Sequence, residues 1–214
     1  MKETMFIDPQ RCIGCRACVS ACRECSTHKG YSMIFVDYID RAETTATMPT
    51  VCMHCAEPTC ALVCPADAIK MNEDGVVMSA LKPRCLDCRN CVNACPFGVP
   101  KYNSEIHLQM KCDMCYDRTS EGLKPMCASV CPTGAITFGK YEDVVPIRRT
   151  KPVNTHVFGN QKVETKVYMM LPTDAEEIRI DGAGILQTRF EPGDAESESW
   201  IDTQVEISDK SNEF

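Results

Sequence analysis

The stretch Cys85-Leu-Asp-Cys88-Arg-Asn-Cys91-Val-Asn-Ala-Cys95-Pro96 sets four thiols in one short run, separated by two, two and three residues and closed by a proline. Working outward, the same grammar returns three more times. Upstream lie Cys12-x2-Cys15-x2-Cys18-x3-Cys22 and Cys52-x2-Cys55-x4-Cys60-x3-Cys64, and downstream lies Cys112-x2-Cys115-x11-Cys127-x3-Cys131. Pro65 and Pro132 follow Cys64 and Cys131 as Pro96 follows Cys95, whereas Arg23 follows Cys22. Sixteen of the 17 cysteines in this 214-residue protein therefore fall into four groups of four, and Cys25 is left over. A single tryptophan and 7% aromatic residues leave bulky fillers scarce for a core of this size, so something else must occupy the interior.

Cysteine at this density signals a disulfide framework, structural zinc or iron–sulfur ligation. A disulfide scaffold calls for an even count, scattered positions and a secretory signal. Here the count is odd, the positions are clustered, and the opening MKETMFIDPQRC lacks the charged and apolar regions of a Sec or twin-arginine signal. A zinc-stabilised scaffold would explain the pairs Cys52/Cys55 and Cys112/Cys115. It divides the CxxCxxCxxxC runs uneconomically, because three thiolates lie too close together for separate tetrahedral sites. Iron–sulfur ligation accounts for all sixteen: thiolates two residues apart on a tight loop reach three irons of one cube, and the cysteine after the three-residue gap serves another. That fourth cysteine is expected at the start of a helical turn, with proline at a loop-to-helix junction where its missing N–H costs little. Gly14, Gly98 and Gly134 are expected to relieve backbone crowding at the cubes. Cys25 is expected to be a buried small apolar residue, with ligation as its alternative.

An internal repeat supports the same chemistry. Phe6 to Cys22 and Val77 to Cys95 each carry an apolar pair, a polar turn and an arginine directly before the first cysteine. CPADAIK (64–70), CPFGVPKY (95–102) and CPTGAITF (131–138) each lead from a short turn into an apolar stretch suited to a strand. These features predict an α+β fold of tandem two-cluster ferredoxin-like modules.

Charge divides the sequence. Residues 1–140 hold fifteen acidic and fifteen basic side chains, and residues 141–214 hold fifteen acidic against eight basic, so the net charge of −7 belongs to the last third. Neither part offers a basic field for a phosphate backbone, which argues against nucleic acid as a partner. No apolar run approaches the length of a transmembrane helix. The expected location is cytoplasmic, with periplasmic export alongside a signal-bearing partner as the alternative. No nucleophile–base arrangement or glycine-rich nucleotide fingerprint is present, no catalytic residue is expected, and His28, His54, His107 and His156 are scattered. His54, between Cys52 and Cys55, is expected to support the site or lie on the surface rather than ligate. Arg11, Arg16, Arg84, Arg89 and Lys111 flank the ligands and are open to two readings, compensation of cluster charge or ordinary surface charge.

In order and spacing, including the widened gap in the fourth group, residues 5 to about 140 resemble the four-cluster electron-transfer subunits of molybdenum or tungsten bis-pyranopterin oxidoreductases. These are the beta subunits of formate dehydrogenases, dimethyl sulfoxide reductase and relatives, together with small polyferredoxin subunits of related complexes. The resemblance implies four [4Fe-4S] clusters in a nested pairing. Cys12, Cys15, Cys18 and Cys131 would hold the first, and Cys22, Cys112, Cys115 and Cys127 the second. Cys52, Cys55, Cys60 and Cys95 would hold the third, and Cys64, Cys85, Cys88 and Cys91 the fourth. Spacing alone equally permits sequential modules, and only the resemblance selects nesting. It implies an outer module over 1–50 and 96–145, an inserted inner module over 51–95, and an acidic extension over 146–214. It also implies a large molybdenum- or tungsten-pterin catalytic partner, and a further redox subunit (flavoprotein, hydrogenase or cytochrome/quinone module) or soluble carrier. The compact loops lean towards formate as the partner's substrate, with an aldehyde or another small substrate as the alternatives; for the protein as a whole, a free-standing polyferredoxin shuttle is the alternative. Arg23 in place of proline is expected to alter how a helix begins after Cys22.

Within the extension, His156–Phe158, Val163–Met169, Ile178–Ile180 and Ile185–Phe190 read as short strands, with turns at Gly159-Asn160 and Asp181-Gly182. The segment 150–190 would either lie against a catalytic subunit or cap the ferredoxin core. The acidic run after Phe190, containing Trp200, reads as an arm or docking peptide.

Overall fold

The computed structural model of the protein describes residues 3–28, 30–39, 45–172 and 178–180. Five strands form the main sheet: β1 (Glu3–Ile7), β6 (Ile136–Lys140), β7 (Lys151–Phe158), β8 (Gln161–Leu171) and β9 (Ile178–Ile180), in spatial order β6-β1-β8-β7-β9. Two small hairpins pair β2 (Phe35–Tyr38) with β3 (Thr47–Thr50) and β4 (Lys101–Asn103) with β5 (Leu108–Met110). Short helices punctuate the cysteine groups: α1 (Ala17–Arg23), α2 (Thr59–Leu62), α3 (Asn90–Ala94), α4 (Tyr116–Thr119) and α5 (Met126–Val130). A last one, α6 (Tyr141–Val144), follows β6.

β1 ties the arrangement together. It runs antiparallel to β6, Glu3 facing Lys140 and Ile7 facing Ile136, and parallel to β8, Phe6 facing Tyr168. Period-two alternation sends its side chains to two cores. Met5 and Ile7 enter the large interior with Ile136, Phe138, Val167, Met169 and most of the cysteines. Phe6, on the other face, packs with Val144 and Met170 and stacks on Tyr168 at 5.4 Å between ring centroids. Flexible methionines take the place of missing aromatics: Met5, Met33, Met53, Met110, Met114 and Met169 are all buried in the large core.

The strands expected at His156–Phe158, Val163–Met169 and Ile178–Ile180 are present, and Gly159-Asn160 joins β7 to β8. Ile185–Phe190, the Asp181-Gly182 turn and Trp200 lie outside the described residues. The β7–β8 hairpin is joined to the rest by more than the sheet. Ala56 N–H donates to Glu164 O at 2.9 Å, Lys166 N–H to His54 O at 2.9 Å and Val167 N–H to Met53 O at 3.2 Å. Residues 151–171 thus brace the loop of the second cysteine group.

Candidate metal centres

Each cysteine group is bent by residues of left-handed backbone. Gly14, His54, Asp87 and Met114 stand two positions after the leading cysteines, with φ of 67°, 48°, 59° and 60°. Asp67, Gly98 and Gly134 stand three positions after the cysteines of the Cys-Pro pairs, with φ of 51°, 62° and 64°. For residues other than glycine this bend costs about 1–2 kcal/mol, and its recurrence at equivalent places marks a shape that the surroundings impose. The shape turns backbone donors onto sulfur. Met33 N–H reaches Cys22 Sγ, Ala68 N–H reaches Cys64 Sγ and Met114 N–H reaches Cys112 Sγ, each at 3.2 Å. Gly14 meets a second demand, since a Cβ there would come within 3.3 Å of the Thr47 side chain, whose hydroxyl donates to Cys12 Sγ at 3.2 Å.

The third cysteine of each group, Cys18, Cys60, Cys91 or Cys127, sits in a short helix and is buried. The fourth does not begin a helix, contrary to expectation. Cys95 and Cys131 end α3 and α5 with extended backbone, ψ 115° and 109°. Proline forces that conformation on the residue before it, so the Cys-Pro pair is a helix stop. Where Arg23 replaces proline, α1 runs on through Cys22 to Arg23.

Three cavities gather the thiols. One is bordered by Cys12, Cys15, Cys18 and Cys131, a second by Cys52, Cys55, Cys60 and Cys95, and a third by Cys64, Cys85, Cys88 and Cys91. The remaining four, Cys22, Cys112, Cys115 and Cys127, are all buried. Among these, Cys127 feels the charges of Cys22 and Cys18, Cys112 those of Asp113, Cys127 and Cys52, and Cys115 those of Cys112 and Cys25. Burial pushes Cys18 up to about 11, with the Cys12, Cys131 and Cys15 thiolates adding to it. Burial likewise takes Cys55 to about 12, reinforced by Cys52, Cys95 and Cys60. For Cys64 burial works the same way, but the N–H groups of Ala68, Ala66, Ile69 and Asp67 hold the thiol below its ordinary value. Thiols packed this way resist ionising together unless cations enter among them, which is the requirement a metal cluster meets. The donor sets fit [4Fe-4S] cubes in ligand type and number.

The side chains around the thiols sort differently from their sequence appearance. Arg11, Arg16, Arg84 and Arg89 are exposed, but Lys111 is 1% exposed and its ammonium lies 3.6 Å from Cys52 Sγ. His54 is buried and accepts the Val77 N–H at Nδ1, 3.0 Å away, so it braces the second loop from inside. His28, one of four scattered histidines in sequence, is fully buried. Its Nδ1 is 3.2 Å from Cys22 Sγ and its Nε2 is 2.9 Å from Asp113 Oδ1. Cys25, also buried, lies with His28 and Cys115 in a trio whose ligand atoms are all within 4.8 Å of one another. Among the described residues no helix is long and apolar enough to cross a membrane.

Comparison with known proteins agrees with this chemistry. Residues 43–141 match the 4Fe-4S dicluster domain family, and residues 3–24 match a 4Fe-4S binding domain family. The B subunit of the anaerobic dimethyl sulfoxide reductase of Escherichia coli (strain K12) is 36% identical over 152 residues, covering 65% of the present sequence and 74% of that protein. The thiosulfate reductase electron transfer subunit of Salmonella typhi is 37% identical over 147 residues, covering 65% and 76%. The nitrate-inducible formate dehydrogenase iron-sulfur subunit of Escherichia coli (strain K12) is 34% identical over 164 residues, covering 66% and 55%.

Proposed function

This protein belongs to the family of iron–sulfur electron-transfer subunits that includes the B subunit of dimethyl sulfoxide reductase, and from that membership we propose that it relays single electrons through four [4Fe-4S] clusters. The donor or acceptor at one end is a molybdenum- or tungsten-pterin catalytic subunit, and a second redox subunit or soluble carrier serves the other. The observation that supports the cluster count is the gathering of twelve cysteines into three quartets, each around a cavity of its own, with Cys22, Cys112, Cys115 and Cys127 left as a buried fourth set. The ligand sets are the nested ones: Cys12/Cys15/Cys18/Cys131, Cys22/Cys112/Cys115/Cys127, Cys52/Cys55/Cys60/Cys95 and Cys64/Cys85/Cys88/Cys91.

When bound, each cube exchanges one electron, so a row of four divides a two-electron reaction elsewhere into single steps. The protein itself holds the row and controls its exposure. Cys15 and Cys88, in the first and fourth quartets, are exposed, whereas all four thiols of the second quartet are buried. This suits a row whose two ends meet partners and whose middle is shielded from water. Backbone donors to Cys22, Cys64 and Cys112 stabilise negative sulfur and so favour the reduced state. Substrate chemistry lies with the partner. Relatives named for formate, dimethyl sulfoxide and thiosulfate stand at 34%, 36% and 37% identity, which favours none of the three substrates over the others. Cytoplasmic placement is the companion proposal, tested by fractionation of cells expressing the complex.

Anaerobic purification followed by iron and sulfide analysis tests the cluster count, with about 16 of each expected per molecule for four cubes. A colourless zinc protein, or about 8 iron in fully loaded protein, would overturn it. Pairing is tested by combining Cys22→Ser with Cys112→Ser. The nested sets predict loss of one cube, and sequential modules predict loss of two. Co-purification with a molybdenum- or tungsten-containing subunit separates the relay from a free shuttle.

A further inference from the structure

Of the five cations Arg11, Arg16, Arg84, Arg89 and Lys111, the fold takes only Lys111 inside: it is 1% exposed, whereas the four arginines are on the surface. Its position follows from local structure. The residue directly follows β5, and its backbone is clamped to Ser79, whose hydroxyl donates to Lys111 O at 2.7 Å and accepts Lys111 N–H at 3.2 Å. From that anchor the side chain crosses to the second group. Nζ donates to Val77 O, to Cys112 O at 3.1 Å and towards Cys52 Sγ at 3.6 Å. Three N–H donors thus meet three acceptors, which uses the full complement of an ammonium.

Hydrogen bonding is satisfied and charge is not. Among the described residues no carboxylate pairs with Lys111. A buried ammonium with no counter-charge is costly, and an anion placed beside it would offset that cost. The acceptors identify that anion. Lys111 borders the cavity of Cys52, Cys55, Cys60 and Cys95, and it is covalently next to Cys112 of the second quartet. A cube with four thiolates carries about −2 when oxidised and one unit more when reduced. The cation therefore gains most when an electron resides at the Cys52 quartet.

We propose that Lys111 is a positioning residue for electron transfer, a built-in counter-charge at the boundary between the second and third quartets that raises the reduction potential of the cube at Cys52. The inference rests on the reading of that quartet as a [4Fe-4S] site, so wild-type iron and sulfide content is measured first; a shortfall there strikes the ligand assignment and not Lys111. Because the charge is buried, its effect is only weakly screened by salt. An exposed flanking cation such as Arg16 behaves oppositely.

The test is an anaerobic redox titration followed by EPR on Lys111→Met and Lys111→Gln, with Lys111→Arg as the charge-keeping variant and Arg16→Gln as the surface control. The cube at Cys52 is identified by its absence from Cys60→Ser. Both neutral variants should lower the midpoint of that cube at full iron content and leave the cube at Cys12 unchanged. Lys111→Arg should restore most of the shift, and the shift should persist between low and high salt. Unchanged midpoints in fully loaded Lys111→Gln, which retains N–H donors without the charge, would overturn the proposal. If both neutral variants assemble without the Cys52-site cube, loading restored in Lys111→Arg supports the charge requirement. Equal loss in Lys111→Arg refutes it in favour of shape.

Discussion

The pair His28–Asp113 offers the sharpest stability test, because it joins two segments 85 residues apart inside the second quartet's surroundings. Both side chains are buried, at 0% and 3% exposure, and the ring also contacts Cys22 Sγ at 3.2 Å. Burial alone would disfavour the imidazolium, but Asp113, then Cys22, hold His28 up at about 12. Asp113 in turn stays below the ordinary carboxylate range, burial being outweighed by His28. Replacing His28 by leucine leaves the Asp113 carboxylate buried without its counter-charge. Breaking a buried pair from one side costs about 3–5 kcal/mol, which for a domain of this size corresponds to roughly 6–20 °C in the unfolding midpoint. Removing both charges, as in His28→Leu with Asp113→Asn, is close to neutral for many buried pairs. The double variant should therefore be more stable than the sum of the singles by about 2 kcal/mol or more. The assay is anaerobic thermal bleaching of the visible absorption at one scan rate for wild type, both single variants and the double. Additive losses, or a His28→Leu loss below about 1 kcal/mol, would refute a buried ion pair at this place.

Gly14→Ala should destabilise more than Gly98→Ala: both require φ above 60°, but only at Gly14 would the new Cβ meet another side chain, Thr47 at 3.3 Å. The gap should be about 1 kcal/mol, the worth of the displaced Thr47–Cys12 hydrogen bond, measured by the same bleaching assay; equal midpoints would count against the packing argument. His156 is buried, and that burial lowers its pKa to about 4. Its neutral form is therefore favoured in the folded state; stability is full above about pH 6.5 and falls as pH drops towards 4, by about 1 kcal/mol at pH 5.5. Anaerobic denaturant midpoints at pH 7.5 and 5.5 should show this loss in wild type and a smaller loss in His156→Leu. Cys25→Ala should keep the full iron content while Cys127→Ala loses about four iron; iron loss from Cys25→Ala would make the seventeenth cysteine a ligand.

The cysteine groups are legible in the sequence because ligand spacing on a tight loop is a local property, and each group's thiols are counted within a few residues. Strands β7 and β8 are legible from alternation, but their place is not: nothing local to Phe6 announces that it will face Tyr168. Lys111 looks like its exposed counterparts in sequence because burial is decided by what lies across from it, and Val77 and Cys52 come from other segments. His28 gives no signal, since its partner Asp113 is distant in sequence. At Cys95 and Cys131 a helix stop stands where a helix start was expected, although the effect of proline on the residue before it is itself local and points to the stop.

The placement of β1 has a consequence in time. This strand is flanked in the finished sheet by β6 and β8, which follow it in synthesis by more than a hundred residues. At about 5–20 residues per second, β1 waits on the order of ten to thirty seconds for both neighbours. Throughout that interval its two edges are open to pairing with other molecules. In the proposed nested sets, the loop of Cys12, Cys15 and Cys18 waits beside it for Cys131, whereas every thiol between Cys52 and Cys95 has its companions soon after synthesis. With that pairing, the two inner sets can be furnished on the nascent polypeptide, and the two outer ones only when the molecule closes back on β1.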